Sequence, residues 1–293
     1  MSVVDLLTAA PGLFVGTAVL LGLIVGSFLN VVIYRLPLMM ERQERAYCAE
    51  RFGSPAQDPP AEDPTPVNLW TPRSRCPVCR HPISAAENIP LLSYALQWGR
   101  CIHCNTSISL QYPLVEALSG LLAGILAWHF GFGWQALAAL VFTWALLALS
   151  AIDLEHQLLP DSIIFPLLWL GMGLALAGVF TDLRSSVLGA MAGYLSLWSV
   201  YQLFLLCTGK EGMGQGDFKL LAMLGAWQGW QSLVTIVILS SAVGAVLGSL
   251  WILVRGRNRN TPIPFGPFLA CAGWITLLWG EPLGRFYQHW TGL

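Results

Sequence analysis

Apolar runs recur along the chain, and their length restricts the folds that it can adopt. The first, residues 11–33, carries no charged residue and is long enough to cross a hydrocarbon layer about 30 Å thick as a helix. Charged residues make up 11% of the sequence, against roughly 25% in soluble domains. The pattern predicts an all-α polytopic membrane protein. The other runs are residues 114–130, 134–152, 163–180, 187–207, 220–227, 233–254 and 268–280.

Counting every run as a span gives about eight transmembrane helices. Two runs, 220–227 and 268–280, are short. Apolar runs of roughly 10 to 14 residues are ambiguous between a span and a buried or re-entrant segment. The sequence leaves both alternatives open for these two runs.

The distribution of positive charge predicts the orientation of the chain. Asp5 precedes the first run and Arg35 follows it, which is typical of a retained anchor with its N-terminus outward rather than of a cleaved signal. If the chain crosses the membrane eight times from an outward N-terminus, 13 of the 15 Lys and Arg residues lie on one side of the membrane. Arg184 and Arg285 lie on the other. The positive-inside rule makes the first side the cytoplasm.

A polar insert separates the first span from the rest. We expect residues 1–34 to form the first transmembrane helix, residues 35–112 a cytoplasmic insert, and residues 113–293 a membrane-embedded core. Within the insert, a proline-rich tract at residues 55–66 predicts an irregular linker. The net charge of −1 hides this segregation, and we expect no nucleic-acid partner.

Four of the seven cysteines form two C-x-x-C pairs in the insert, Cys76 with Cys79 and Cys101 with Cys104. The 21 residues between the pairs are close to the spacing of tetrathiolate zinc sites. Four thiolates complete a tetrahedron, so we expect a structural Zn²⁺ that folds the insert rather than a catalytic metal. The alternative is a redox or disulfide pair, which a cytoplasmic insert without a thioredoxin-like pattern disfavours.

Two histidines and three isolated cysteines are weaker candidates for metal binding. His81 and His103 lie next to the cysteine pairs and could compete as ligands, although four cysteines suffice. Cys48, Cys207 and Cys271 stand alone, and isolated cysteine behaves as a small hydrophobe. We assign these three no chemistry.

Two aspartates border apolar runs. Asp153 ends the run at residues 134–152, and Asp217 ends a Gly-Gln-Gly-Asp sequence. A carboxylate within a bilayer costs about 2.5 to 3.5 kcal/mol on insertion scales, so membrane proteins keep few without a use. If both lie at the cytoplasmic face they can form a dyad, in which one carboxylate activates water and its protonated partner polarises a peptide carbonyl.

Neighbouring residues bear on this hypothesis. Gly214 and Gly216 would allow backbone geometries and close approach that a Cβ would resist. The alternatives are a loop carboxylate paired with Lys219, and an ion site in a transporter. Asp161, which follows Pro160, is a weaker catalytic candidate because it can serve as the N-cap of the next helix.

A series of motifs spans nearly the whole chain. They are GSFLNVVIYRLP at 26–37, PRSRCPVC at 72–79, NIP at 88–90, GRCIHC at 99–104, YPLVE at 112–116, DLEHQLLPD at 153–161, GMGQGDFKL at 212–220 and IPFGP at 263–267. In this order they resemble the bacterial type IV prepilin peptidases, the leader peptidase/N-methyltransferase family of G-x-G-D aspartic proteases.

The resemblance implies that Asp153 and Asp217 are the catalytic pair. Enzymes of this family, in the bacterial inner membrane, cut the short basic leader from type IV prepilins and type II secretion pseudopilins after a glycine. The cut lies at the cytoplasmic edge of the substrate's apolar helix. The enzymes then methylate the new N-terminal amine with S-adenosylmethionine.

For methyl transfer the resemblance points to the insert. Gly99 and Arg100 stand where the family has Gly-Lys, so they are the candidate donor-binding residues. Arginine keeps the charge but changes its geometry. A second departure is Gln111, where many relatives have arginine, at a position expected to contact a headgroup or the substrate.

Other interpretations stay open at this point. The segment 26–37 is expected to line the substrate path, or else to pack against other helices and end its own helix at Pro37. The same two carboxylates would suit an ion-coupled transporter, although we find no internal repeat of the kind such proteins often show. A binding-only assembly factor would leave both acidic motifs without a purpose.

Overall fold

The computed structural model describes residues 3–52, 68–84, 86–210, 212–255 and 264–291. Its regular secondary structure in these ranges is helical, with two isolated β-bridges in the insert. The proline-rich tract predicted as a linker lies outside the described residues. The helices are α1 Val3–Ala9, α2 Pro11–Phe52, α3 Leu92–Leu96, α4 Gln111–Phe130, α5 Trp134–His156, α6 Asp161–Leu176, α7 Leu183–Thr208, α8 Gln215–Gln228, α9 Gln231–Arg255 and α10 Gly266–Thr291, with a 3₁₀ turn at Ala86–Asn88.

Each apolar run corresponds to a helix. The first run lies in α2, and the other seven correspond to α4 to α10 in order, although the run at 163–180 extends four residues beyond the end of α6. Four helices, α2, α4, α5 and α7, are long and apolar enough to cross a membrane. Within the residues whose side chains the structure describes, α6, α9 and α10 contribute shorter apolar helical segments, at Asp161–Leu176, Gln231–Leu247 and Gly266–Gly280. The chain is a helical membrane protein with several spanning helices.

Helix α2 continues beyond Pro37. The helix runs to Phe52 with this proline inside it, so the alternative in which Pro37 ends the helix is wrong on that point. Proline removes one N–H donor and disturbs the preceding turn. The residues at 38–45 are mostly strong helix formers, and an ion pair one turn apart, between Glu41 and Arg45, also favours continuation.

Residues Met1–Ala136 form one compact unit, in which α2 packs closely against α4. Glycines allow this approach. A Cβ on Gly22 would lie 2.7 Å from the carbonyl oxygen of Ser119, and one on Gly26 would lie 2.7 Å from the Cα of Glu116. Small residues that bring two backbones together are typical of packed membrane helices.

Residues Leu137–Leu293 form a second compact unit, with α8 at its centre. This helix contacts α6, α7, α9 and α10, and most of its residues are buried. Because α8 has 14 residues, it is too short to cross a bilayer alone. The Trp227 indole is fully buried and donates a 2.8 Å hydrogen bond to the Leu167 carbonyl oxygen. The short run at 220–227 is thus a helix enclosed by its neighbours.

Candidate active site and metal centre

Asp153 and Asp217 reach one site from two helices of the second unit. Asp153 lies in the last turn of α5 and Asp217 in the first turn of α8. Only 5% and 6% of their surfaces are exposed, and their carboxyl groups are close enough to interact electrostatically. Two carboxyl groups that interact in this way can share one proton.

Gly266, the first residue of α10, adds a third group to the site. Its backbone N–H donates a 3.1 Å hydrogen bond to Oδ2 of Asp153. The first N–H groups of a helix have no partner within the helix, so the carboxylate satisfies one of them. A Cβ on Gly266 would lie 2.5 Å from the same oxygen, and a larger residue cannot fit without a shift. No role was predicted for Gly266; the signal for it is the IPFGP motif at the start of an apolar run.

The two glycines before Asp217 differ in their surroundings. A Cβ on Gly216 would lie 2.7 Å from the Cβ of Leu159, so close approach is required there, as predicted. Gly214 is the N-cap of α8 with φ −72°, a backbone conformation that any residue adopts. A Cβ on Gly214 would make an ordinary contact, 3.8 Å from the Asp217 carboxyl group. The prediction of special backbone geometry is wrong for Gly214.

Lys219 binds a different carboxylate from the buried pair. Its Nζ lies 2.8 Å from both carboxylate oxygens of Asp161 and 5.5 Å from the centre of the Phe165 ring. Asp161 is the first residue of α6, and Pro160 occupies the N-cap position predicted for it. The alternative in which Lys219 pairs with a site aspartate is therefore not the arrangement observed.

The four cysteines of the insert converge on one point. The sulfurs of Cys76 and Cys104 are 3.7 Å apart and those of Cys79 and Cys101 are 3.9 Å apart, with all four within 4.8 Å of one another. These distances are too long for disulfides, whose S–S bond is about 2.05 Å. A tetrahedral zinc ion with Zn–S bonds of about 2.3 Å needs sulfurs about 3.8 Å apart. The cluster fits a four-coordinate metal ion.

Each cysteine pair lies in a turn of the same design, and we call residues 76–80 and 101–105 the two cysteine turns. The N–H of Arg80 donates to the carbonyl oxygen of Cys76, and the N–H of Asn105 to that of Cys101, each at 2.9 Å. The last residue of each turn is left-handed, with φ 58° at Arg80 and 56° at Asn105. Two such turns present their sulfurs toward one centre.

Hydrogen bonds to the sulfurs lower the pKa of some of the cysteine thiols, and repulsion between the sulfurs raises that of another. The hydroxyl of Thr106, followed by its backbone N–H, lowers the pKa of Cys104 to about 6. The N–H of Cys79 is the largest cause of a lowered pKa at Cys76. A bond from the His81 N–H acts the same way on Cys79, but burial and the other sulfurs outweigh it and raise the pKa of Cys79 to about 12. A bound cation would offset this repulsion, because metal binding replaces thiol protons.

The predicted donor-binding residues lie at the start of the second cysteine turn. Gly99 is buried with φ +66°, and a Cβ there would lie 2.7 Å from the Tyr94 hydroxyl oxygen. Its carbonyl oxygen accepts a 2.7 Å bond from the Ile108 N–H. Arg100 is exposed, and its backbone forms an isolated antiparallel β-bridge with Ser107. Gly99 therefore has a structural reason to be glycine, and Arg100 presents its side chain to solvent.

Two buried charged residues tie the insert to the helices of the first unit. Arg35 of α2 donates to the carbonyl oxygens of Asn68, at 2.9 Å, and Pro72, at 2.6 Å. Glu116 of α4 accepts a 2.8 Å bond from the Leu91 N–H. This role was predicted for neither residue. The available signal is a lone charge in or beside an apolar run, which is costly unless it is partnered.

Two family models and several known proteins match this chain. Residues 20–130 match the model of the bacterial peptidase A24 N-terminal domain, and residues 140–249 match that of the type IV leader peptidase family. The chain is 54% identical over its full length to the prepilin leader peptidase/N-methyltransferase of Stutzerimonas stutzeri, covering all of that protein. The proteins of that name from Pseudomonas aeruginosa and Xanthomonas campestris are 54% and 47% identical, over 292 and 283 residues.

These alignments cover nearly the full length of this chain and of each relative. The Pseudomonas protein is matched over 99% of its length and the Xanthomonas protein over 97%. No solved structure matches the chain. The chain belongs to the type IV leader peptidase family.

Proposed function

We propose that this chain cleaves the leader peptide of type IV prepilins and pseudopilins with Asp153 and Asp217, and then N-methylates the new N-terminal residue. The observation that carries the proposal is that Asp153, at the end of α5, and Asp217, at the start of α8, are both buried and interact electrostatically. The relatives' names, which state both activities, support it over the full chain.

The hydrogen bond from Gly266 suggests how the two aspartates divide the work. An N–H donor suits an ionised oxygen, so we assign Asp153 as the base that activates water and Asp217 as the protonated partner that polarises the scissile carbonyl. As water attacks, its proton passes to Asp153 and the carbonyl oxygen takes the proton of Asp217. When the C–N bond breaks, Asp153 gives its proton to the leaving amine, and one hydroxyl of the diol returns its proton to Asp217 as the product carboxyl group forms.

The position of Asp153 suits a substrate cut beside its apolar helix. Asp153 lies in the last turn of α5, a helix long enough to cross a membrane. The site would thus lie near one membrane surface. Most Lys and Arg residues fall on the same side of the membrane as the site when the N-terminus is outward. This excess supports a site at the cytoplasmic surface.

We further propose that the apolar runs form about eight transmembrane helices in the bacterial inner membrane. Of these, α8 is enclosed by α6, α7, α9 and α10 and crosses only part of the bilayer. The proposed parts are residues 1–34 as the first transmembrane helix, residues 35–112 as the cytoplasmic insert and residues 113–293 as the peptidase core. The correspondence of every apolar run with a helix supports this count.

A structural Zn²⁺ held by Cys76, Cys79, Cys101 and Cys104 is part of the proposal. Sulfur separations of 3.7 and 3.9 Å support tetrahedral coordination. With four thiolates the ion has no open position, so its contribution would be to fold the insert.

The methyl donor is proposed to be S-adenosylmethionine, bound near Gly99 and Arg100. The support is the exposed guanidinium of Arg100, which suits the carboxylate of the donor because guanidinium and carboxylate form paired hydrogen bonds. Gly99 would hold the backbone turn that presents this arginine.

The test uses purified full-length protein in detergent, a synthetic prepilin and mass spectrometry. The expected products are the free leader and a shortened pilin, which gains one methyl group only when S-adenosylmethionine is present. An intact substrate would contradict the peptidase. Cleavage without methylation would reduce the chain to a peptidase, and substrate-independent ion flux in proteoliposomes would favour the transporter.

A further inference from the structure

A second group of possible metal ligands lies beside the four cysteines. It consists of His81, which follows the first cysteine turn, His103 within the second turn, and Glu87 in the 3₁₀ turn. One potential ligand atom from each lies within 4.8 Å of the other two. Within the described residues, this is a set of three ligands separate from the four sulfurs.

The carboxylate of Glu87 is already oriented toward the imidazoles. Its Oε2 accepts a 2.7 Å bond from the Ser84 N–H, and the Glu87 N–H donates back to the Ser84 hydroxyl at 3.4 Å. The other oxygen, Oε1, lies 3.8 Å from Nε2 of His81. Carboxylate ligands of metals are commonly held by such secondary hydrogen bonds.

The two imidazoles come from different cysteine turns and face each other. Their ring centres are 3.5 Å apart with 39° between the planes. The His81 carbonyl oxygen accepts the Cys76 N–H at 2.9 Å, which fixes its backbone. The His103 side chain is exposed and His81 and Glu87 are half-buried, so an ion can reach the group from solvent.

We propose that His81, His103 and Glu87 bind a second, exchangeable divalent transition-metal ion. Imidazole and carboxylate ligands suit zinc, cobalt, nickel and copper better than magnesium or calcium. Two histidines and one glutamate leave a fourth position for water, unlike four thiolates. This site is independent of the peptidase and methyltransferase proposals.

Loading requires a small rearrangement. With metal–ligand bonds of about 2.0 to 2.1 Å, the ligand atoms must approach to about 3.3 Å and the imidazole rings must turn apart. His103 can make this movement because its side chain is exposed. The ion would then join the two cysteine turns through a second link, and its binding would stabilise the folded insert.

The test is a Co²⁺ titration of full-length protein purified without a histidine tag. The protein is produced in cobalt-supplemented, zinc-depleted medium, so that the cysteine site takes up Co²⁺ as the insert folds. We expect one tight equivalent with thiolate-to-cobalt absorption, followed by a weaker equivalent that adds no thiolate absorption. The variant Glu87→Gln should weaken the second equivalent at least tenfold, and H81Q/H103Q should abolish it while the first is retained.

The matched control is His156→Gln. His156 also lies near a glutamate, with its Nε2 3.8 Å from Oε2 of Glu155, but among the described residues no third ligand joins this pair. The control should keep both equivalents. The proposal is overturned if the wild type binds a single equivalent, if H81Q/H103Q keeps the second, or if the second adds thiolate absorption.

Discussion

The backbone N–H of Gly266 lies 3.1 Å from Oδ2 of Asp153, a residue 113 positions earlier in the chain. Because this N–H belongs to the first residue of α10, the start of that helix holds one oxygen of the carboxylate. The contact makes the start of α10 part of the proposed active site.

Substituting Gly266 by alanine should therefore impair catalysis more than folding. The added Cβ would lie 2.5 Å from Asp153 Oδ2, and a displacement of about 1 Å can cost roughly 100-fold in rate. We expect cleavage to fall by about that factor, measured as kcat/KM on a synthetic prepilin. Gly173→Ala is the control, because no atom lies within 4 Å of its added Cβ. Equal activity of the two variants would speak against the contact.

A second prediction concerns the packing of Gly216 against Leu159. In Gly216→Ala the new Cβ would lie 2.7 Å from the Leu159 Cβ, and overpacking of this kind costs about 1 to 3 kcal/mol. We expect lower thermal stability in detergent and slower cleavage. Removing the neighbouring Cβ in G216A/L159G should recover part of both, whereas L159G alone should not improve them. Strictly additive effects would rule out the steric explanation.

Removal of the metal should unfold the insert. Structural zinc sites of this type contribute about 10 to 16 kcal/mol of apparent binding energy, so a strong chelator should expose residues 76–104 to protease. Metal analysis of the untreated protein should find a cysteine-bound ion that Cys101→Ser loses. The exposed Cys48 provides the control, since Cys48→Ser should keep the ion. Protease resistance unchanged by the chelator would argue against a structural metal.

Arg35 should not be replaceable by lysine. Its guanidinium donates to two carbonyl oxygens at once, and an ammonium on a flexible stem does not reproduce this planar fork. Losing one such bond costs about 1.5 to 3 kcal/mol. Arg35→Lys should lower the melting temperature and speed hydrogen exchange at residues 68–72. Arg45→Lys, in an exposed ion pair, should do neither; similar exchange in both would contradict the anchoring role.

Sequence predicts the elements of this molecule better than their contacts. The helices follow from apolar runs, and Asp153 and Asp217 stand out because charge beside an apolar run is costly. The hydrogen bond from Gly266 was not foreseen, since it depends on how α5 and α10 meet, which local patterns do not specify. The continuation of α2 through Pro37 has a local cause instead, because the strong helix formers at residues 38–45 outweigh one missing N–H.

The cysteines and glycines show the same contrast between what the sequence predicts and what only packing determines. Spacing alone suggested that the four cysteines converge, because metal ligands impose few possible arrangements. For the glycines, the sequence could not distinguish Gly216, which lies against Leu159, from Gly214, whose φ of −72° makes no demand for glycine. Only the packing of the loop at 157–160 separates them.

The most direct test of the central claim compares cleavage by D153N, D217N and D153N/D217N with cleavage by D161N. Asp161 is the matched control, because it is an exposed carboxylate bound to Lys219. If the two buried aspartates act as one unit, each single variant should lose at least about 1,000-fold in kcat and the double variant little more. D161N should stay within a few-fold of wild type. Wild-type cleavage by either D153N or D217N would contradict the dyad.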